Sequence, residues 1–271
     1  MTSTARSADS NRADTIRQWV VAVTAVAAIV GSFIGSGALG GTPIAEAAGG
    51  ALSATATRIA PGVPAFSIWS VIYLGLVAYT IWQLLPAHKH DARQRRLGYP
   101  IAASLVLNAA WILSVQAGLL AVSVIVIAVL VAVLAYTFRL CIVTRPSSTI
   151  EAVVVDGTVG LYLDWVCVAT AANITAALKA AGFTGWGIDA DVWAVIIIAV
   201  AGLIGVGLAI AGRGRLSPAA SLCWGLAWVA VARLTGSPHS VPAAVAAIVA
   251  VTVVLIITVA LRIRENVVAS A

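Results

Sequence analysis

Between residues 101 and 138 the chain carries no charged side chain at all. As a single helix those 38 residues would run about 57 Å, at about 1.5 Å per residue. That is nearly twice the roughly 30 Å of a bilayer's hydrocarbon core. The only polar, flexible step near the middle is Gln116-Ala117-Gly118, so a tight hairpin between two crossings is predicted there. Shorter apolar runs, each about long enough for one crossing, lie on both sides of this one. In the whole chain 61% of the residues are hydrophobic and 10% are charged, against roughly 25% charged in a soluble domain. Too little polar surface exists to cover a water-soluble globule, so most of the chain has lipid for its solvent.

A helix needs about 20 predominantly apolar residues to cross that core. Eight segments qualify: 18–39, 64–85, 98–116, 119–138, 152–178, 192–211, 218–234 and 241–261. The predicted fold class is an all-α polytopic membrane protein with about eight transmembrane helices. The basic residues test the count independently. With the N-terminus inside, the inner segments hold Arg6, Arg12 and Arg17; Lys89, Arg93, Arg95 and Arg96; Arg139 and Arg145; Arg213 and Arg215; Arg262 and Arg264. The outer segments hold only Arg58, Lys179 and Arg233. Every inner segment exceeds its neighbours, as the positive-inside rule requires, so both termini are expected in the cytoplasm. The net charge of +6 then records topology, and no nucleic-acid partner is expected. Ala45-Glu46-Ala47 imitates a signal-peptidase site, but the apolar run before Pro43 is longer than a usual signal core. The first span is therefore expected to be retained.

No soluble-enzyme motif is present: no phosphate-cradling glycine loop, no HExxH and no nucleophile elbow. The three cysteines lack metal-ligand or CxxC spacing, so neither a metal site nor catalytic residues are predicted. The informative residues are polar and aromatic groups inside the spans. Phe66, Trp69 and Tyr73 share one face of the second helix, Asn108 and Trp111 one face of the third, and Tyr162, Trp165 and Asn173 one face of the fifth. An Asn amide in hydrocarbon needs a hydrogen-bonding partner, so Asn108 and Asn173 are expected to look inward. The three faces fall at similar depth, where they either line a cavity or pack on one another. Asp164 points away from the Tyr162/Trp165/Asn173 face and is expected to meet the last three helices or a partner subunit. Trp19, Trp186 and Trp193 read as membrane-interface belts, and Trp224 and Trp228 as packing.

These residues carry a resemblance. Tyr162-Leu163-Asp164-Trp165, followed by Ala169 and Asn173, resembles the Y-L-x-W-x-x-F-A-x-x-L-N signature of the tryptophan-rich sensory protein/translocator protein family. Leu107-Asn108-Ala109-Ala110-Trp111 resembles its L-N-x-x-W, and residues 61–73 its proline- and aromatic-rich entry to helix two, in the family's order. Two departures stand at that entry: Phe66 is three rather than four residues before Trp69, and no tryptophan precedes it.

The resemblance covers residues 18–178, a five-helix transmembrane bundle, between a cytoplasmic tail at 1–17 and three further helices over 179–262 with a tail at 263–271. It implies a multi-pass protein of a bacterial inner membrane that binds a tetrapyrrole (haem or protoporphyrin) or a sterol-like molecule. The implied pocket comprises Phe66, Trp69, Tyr73, Asn108, Trp111, Tyr162, Trp165 and Asn173. The implied role is sensory, regulatory or transport. No cofactor is required, and the expected partners are the lipid bilayer and a hydrophobic small molecule; a homo-oligomer is compatible. The competing readings are a secondary transporter, which would show internal repeats, and a membrane enzyme that modifies porphyrin.

Overall fold

The computed structural model describes residues 2–35, 42–44 and 46–270. Residues 36–39, the end of the expected first span, lie outside the described residues. Long helices dominate: α1 (Thr2–Gly35), α2 (Ile68–Leu84), α3 (Ala92–Gln116), α4 (Leu120–Val143), α5 (Thr158–Ala180), α6 (Ala190–Ala211), α7 (Leu216–Thr235) and α8 (Val241–Ser270). Seven helical stretches among the described residues are long and apolar enough to cross a membrane by themselves. The eighth predicted span is α7. Its 20 residues reach about 30 Å at about 1.5 Å per residue. It falls short in apolarity because its packed face carries fully buried Ser221 and Arg233, while Leu216, Trp224, Val231 and Leu234 stay exposed on the other face.

Local chemistry sets the helix ends. Asp91 caps α3 by accepting from the amides of Arg93 and Gln94, which starts that helix well before its apolar stretch. Gly118, at φ +72°, makes the hairpin turn between α3 and α4 where the polar break predicts it. Ser148 accepts from the Glu151 amide at 3.1 Å and opens a helical stretch whose residues 152–157 form a π turn before α5. Asp189 caps α6 and Ser240 caps α8.

The helices pack in sequence around the bundle: α1 on α3, α3 on α4, α4 on α5, α5 on α7, α7 on α8 and α8 on α6. Small residues permit close approach. Gly160 leaves room on α5 for Ser217 and Pro218 of α7, and Gly202 on α6 faces Ala250 of α8. Two apolar cores result, one within the first five helices and one among α6, α7 and α8, with Val168 of α5 reaching into the second.

Charged side chains gather at the two ends. Where α3 and α5 begin, buried Arg93 bridges Glu151 and Asp156, Arg215 reaches Asp156 at 3.3 Å, and Asp14 holds Arg95 through both carboxylate oxygens. At the opposite end Arg58 pairs with Asp191 at 2.6 Å. Arg233, predicted as an outer-loop charge, is instead fully buried in the last turn of α7.

Candidate ligand cleft

The predicted aromatic faces of α2, α3 and α5 meet at the end where α2 begins and α3 and α5 finish. Trp69 is the hub. Its ring stacks on Tyr73 at 5.5 Å and meets Tyr162 edge-on at 6.0 Å and Trp165 at 6.3 Å. Phe66 meets Trp165 edge-on at 6.0 Å. Offset and edge-to-face pairs at these separations are the favoured aromatic geometries. The helical spacing of three and four therefore carries directly into three-dimensional contact.

The two asparagines are fully buried and look inward. Asn108 Nδ2 donates to the Tyr73 hydroxyl at 2.7 Å, tying α3 to α2. Asn173 Oδ1 accepts from Trp111 Nε1 at 3.4 Å, and Asn173 Nδ2 donates to Ser123 Oγ at 3.0 Å, tying α5 to α3 and α4. The Tyr162 hydroxyl donates to the Ser104 carbonyl at 3.2 Å. Among the eight predicted site residues, two buried polar atoms have no hydrogen-bond partner among the described residues: Asn108 Oδ1 and Trp165 Nε1. Orphans of this kind are rare in native interiors.

Three of the eight predicted site residues, Phe66, Trp111 and Trp165, line a narrow cleft together with Val168, Ala169 and Ala172 of α5. The other five form a layer behind it: Trp69, Tyr73 and Tyr162 buttress the wall, while Asn108 and Asn173 fix its orientation. The cleft's roof is formed by residues 51–61, through Leu52, Ser53, Thr57, Ala60 and Pro61. The free volume is about 40 Å³, room for roughly three or four water molecules on the basis of about 10–15 Å³ for each. Drug-sized ligands occupy pockets of roughly 300–1,000 Å³, so such an occupant requires the roof or a wall to move.

Several contributors carry no signal of their own in the sequence. The roof residues are small and of ordinary loop type. Trp224, predicted as packing, donates from Nε1 to the Ala65 carbonyl at 2.9 Å and so holds the entry to α2 from α7. The tyrosine and tryptophan pattern on the first helices gives no hint of that contact. Asp164 does not line the cleft. It is fully buried, with both oxygens unpartnered among the described residues, and faces α7 within electrostatic reach of Cys223. Among the described residues no three His, Cys, Asp or Glu side chains converge as a metal site.

A family model described as TSPO-like protein matches residues 18–261. The matched stretch runs from α1 through α8 and takes in every residue of the cleft. No curated protein matches the chain, and no solved structure matches it.

Proposed function

Since the chain belongs to the TSPO-like protein family, we propose that this integral membrane protein binds a flat hydrophobic molecule in the cleft between α2, α3 and α5. A tetrapyrrole such as protoporphyrin or haem, or a sterol-like polycycle, is the ligand class. The role is sensory, regulatory or transport, and no cofactor is required. The termini lie in the cytoplasm of a bacterial cell, with the cleft at the outer end of the bundle.

The observation that carries this reading is that Trp111 and Trp165, from two different helices, line one apolar cleft with Phe66. A planar ligand placed there gains area burial from each ring, plus about 0.5–1.5 kcal/mol per aromatic pair. The layer behind supplies rigidity, because Trp111 is held through Asn173, and Trp165 is packed between Phe66 and Trp69.

The test is an equilibrium titration of purified protein with protoporphyrin, followed by tryptophan quenching. Saturable binding is expected. Trp111→Ala and Trp165→Ala are each expected to weaken it by roughly tenfold or more, because about 1.4 kcal/mol is one decade. Trp19→Ala removes a ring that is 62% exposed and lies outside the cleft, so it should leave affinity unchanged. If all three variants behave alike, the quenching is partition into detergent and the reading fails.

A further inference from the structure

The roof of the cleft is fastened almost entirely from the C-terminal half of the chain. Arg233 of α7, fully buried, donates from Nη1 to the Thr57 carbonyl at 3.1 Å and from Nη2 to the Ala54 carbonyl at 2.8 Å. The same guanidinium reaches the Pro238 carbonyl at 2.9 Å, which anchors it to the turn before α8. Lys179, in the last turn of α5, donates to the Ala56 carbonyl at 2.6 Å. Arg58 in the middle of the roof pairs with Asp191 in the first turn of α6, and Asp191 is in turn held by Ser240 Oγ at 2.6 Å. Downstream, the Gly62 amide donates to the Trp228 carbonyl at 3.2 Å, and Trp224 Nε1 holds Ala65. Three of four consecutive roof carbonyls, those of Ala54, Ala56 and Thr57, thus face two cations, and the next residue faces an anion. These contacts tether main chain and leave the roof's side chains free to line the cleft.

The cleft beneath is too small for a ligand of the proposed class, with about 40 Å³ free. Fastened roof and closed cleft belong to one state. We infer that α6, α7 and α8 act as the latch of this roof, with Arg233 the central positioning residue and the Arg58–Asp191 pair its outer catch, so that ligand entry requires these contacts to release. The inference rests on the ligand reading for what enters. It does not depend on that reading for what the latch holds. Its consequence runs against intuition. A closed state that competes with binding lowers apparent affinity by the fraction of molecules that are open. Weakening the latch therefore speeds association and does not weaken binding, whereas a substitution that merely damaged the fold would weaken it.

The experiment uses the full chain in detergent micelles and three variants. Arg233→Met keeps the aliphatic stem, Arg233→Lys keeps the charge but loses the fork, and Asp191→Asn removes the charge of the outer catch at a side chain 30% exposed, where losing an ion pair costs little. Hydrogen exchange on the ligand-free proteins is read first. Amides of 51–62 should exchange about tenfold faster in Arg233→Met, the factor that loss of a hydrogen bond to a charged group corresponds to. Arg233→Lys and Asp191→Asn should show smaller increases, and amides of 100–116 in α3 should stay unchanged in all three. Stopped-flow quenching by protoporphyrin should then show faster association in the same order, with affinity equal to or tighter than wild type. Unchanged exchange at 51–62 in both Arg233→Met and Asp191→Asn would overturn the latch. So would faster exchange accompanied by unchanged or slower association, because the roof would then be loose without being the gate. A wild-type protein that fails to bind protoporphyrin saturably counts against the ligand reading alone, and the exchange arm still decides the latch.

Discussion

Replacing Arg93 by methionine removes one guanidinium and leaves the stem that packs beside it. Arg93 joins three segments at the end of the bundle far from the cleft. Its Nε donates to the Thr144 carbonyl at 2.9 Å at the end of α4, Nη1 donates to Glu151 at 2.8 Å, and Nη2 donates to Asp156 in the π turn. Glu151 is fully buried, so its charge cannot turn to water when the partner goes. Breaking a buried ion pair by removing one partner costs about 3–5 kcal/mol. Here the lower figure applies, because neither carboxylate is left bare. Glu151 keeps the Ser147 amide at 2.7 Å, the Ser147 hydroxyl at 2.8 Å and Gln94 Nε2 at 3.0 Å, and Asp156 keeps Arg215 at 3.3 Å. The expected loss is about 3 kcal/mol, roughly a hundredfold in the folding equilibrium. Adding Glu151→Gln removes the buried charge that lost its partner and should restore about 1–2 kcal/mol of it. The assay is equilibrium unfolding in mixed micelles of mild and denaturing detergent, with protoporphyrin affinity measured beside it. Affinity should not change, since the cluster lies at the opposite end of the bundle. A cost below about 1 kcal/mol, or no recovery in the double variant, would refute the reasoning about burial. A tenfold loss of affinity in folded protein would refute the separation of the two ends.

Reporter fusions after Arg96 and after Arg264 should both be active only with a cytoplasmic reporter, and a split result would break the eight-helix topology. Gly160→Ala should destabilise the protein by about 1–3 kcal/mol in the same unfolding assay, the usual cost of overpacking, because a Cβ there would stand 2.1 Å from Ser217 Oγ and 2.9 Å from Pro218 Cδ; wild-type stability would mean that α5 and α7 are not in close contact. Asp164→Asn should fold and bind protoporphyrin as wild type does, since Asp164 faces α7 rather than the cleft; loss of binding in folded protein would place it on the wrong face.

The helices were legible because lipid imposes one requirement, a run of apolar residues long enough to cross, and the chain meets it with turns at Gly118 and caps at Asp91 and Asp189. The aromatic cluster was legible for a related reason: residues three and four apart on a helix share a face, and Trp69, Tyr73, Tyr162 and Trp165 do meet. The division of those residues into a cleft lining and a supporting layer was not legible, since it depends on how far each helix rotates about its axis. The roof was not legible either. Arg233 holds it through main-chain carbonyls 176 and 179 residues away, and a carbonyl has no residue type to betray it. By composition Arg233 is an outer-loop charge and Arg93 an inner one. Burial beside partners from distant segments is what makes them structural, and only the fold brings those partners together.

The proposed ligand site is the cleft between α2, α3 and α5, beneath residues 51–61. A structure of the full chain determined with protoporphyrin bound decides whether a flat hydrophobic ligand occupies it. The macrocycle should lie against Trp111 and Trp165 with Phe66 at its edge, the roof over 51–61 displaced outward and the Arg233 contacts to Ala54 and Thr57 lengthened or broken. A macrocycle found on the lipid-facing surface, or anywhere else with the cleft still closed, would contradict the account.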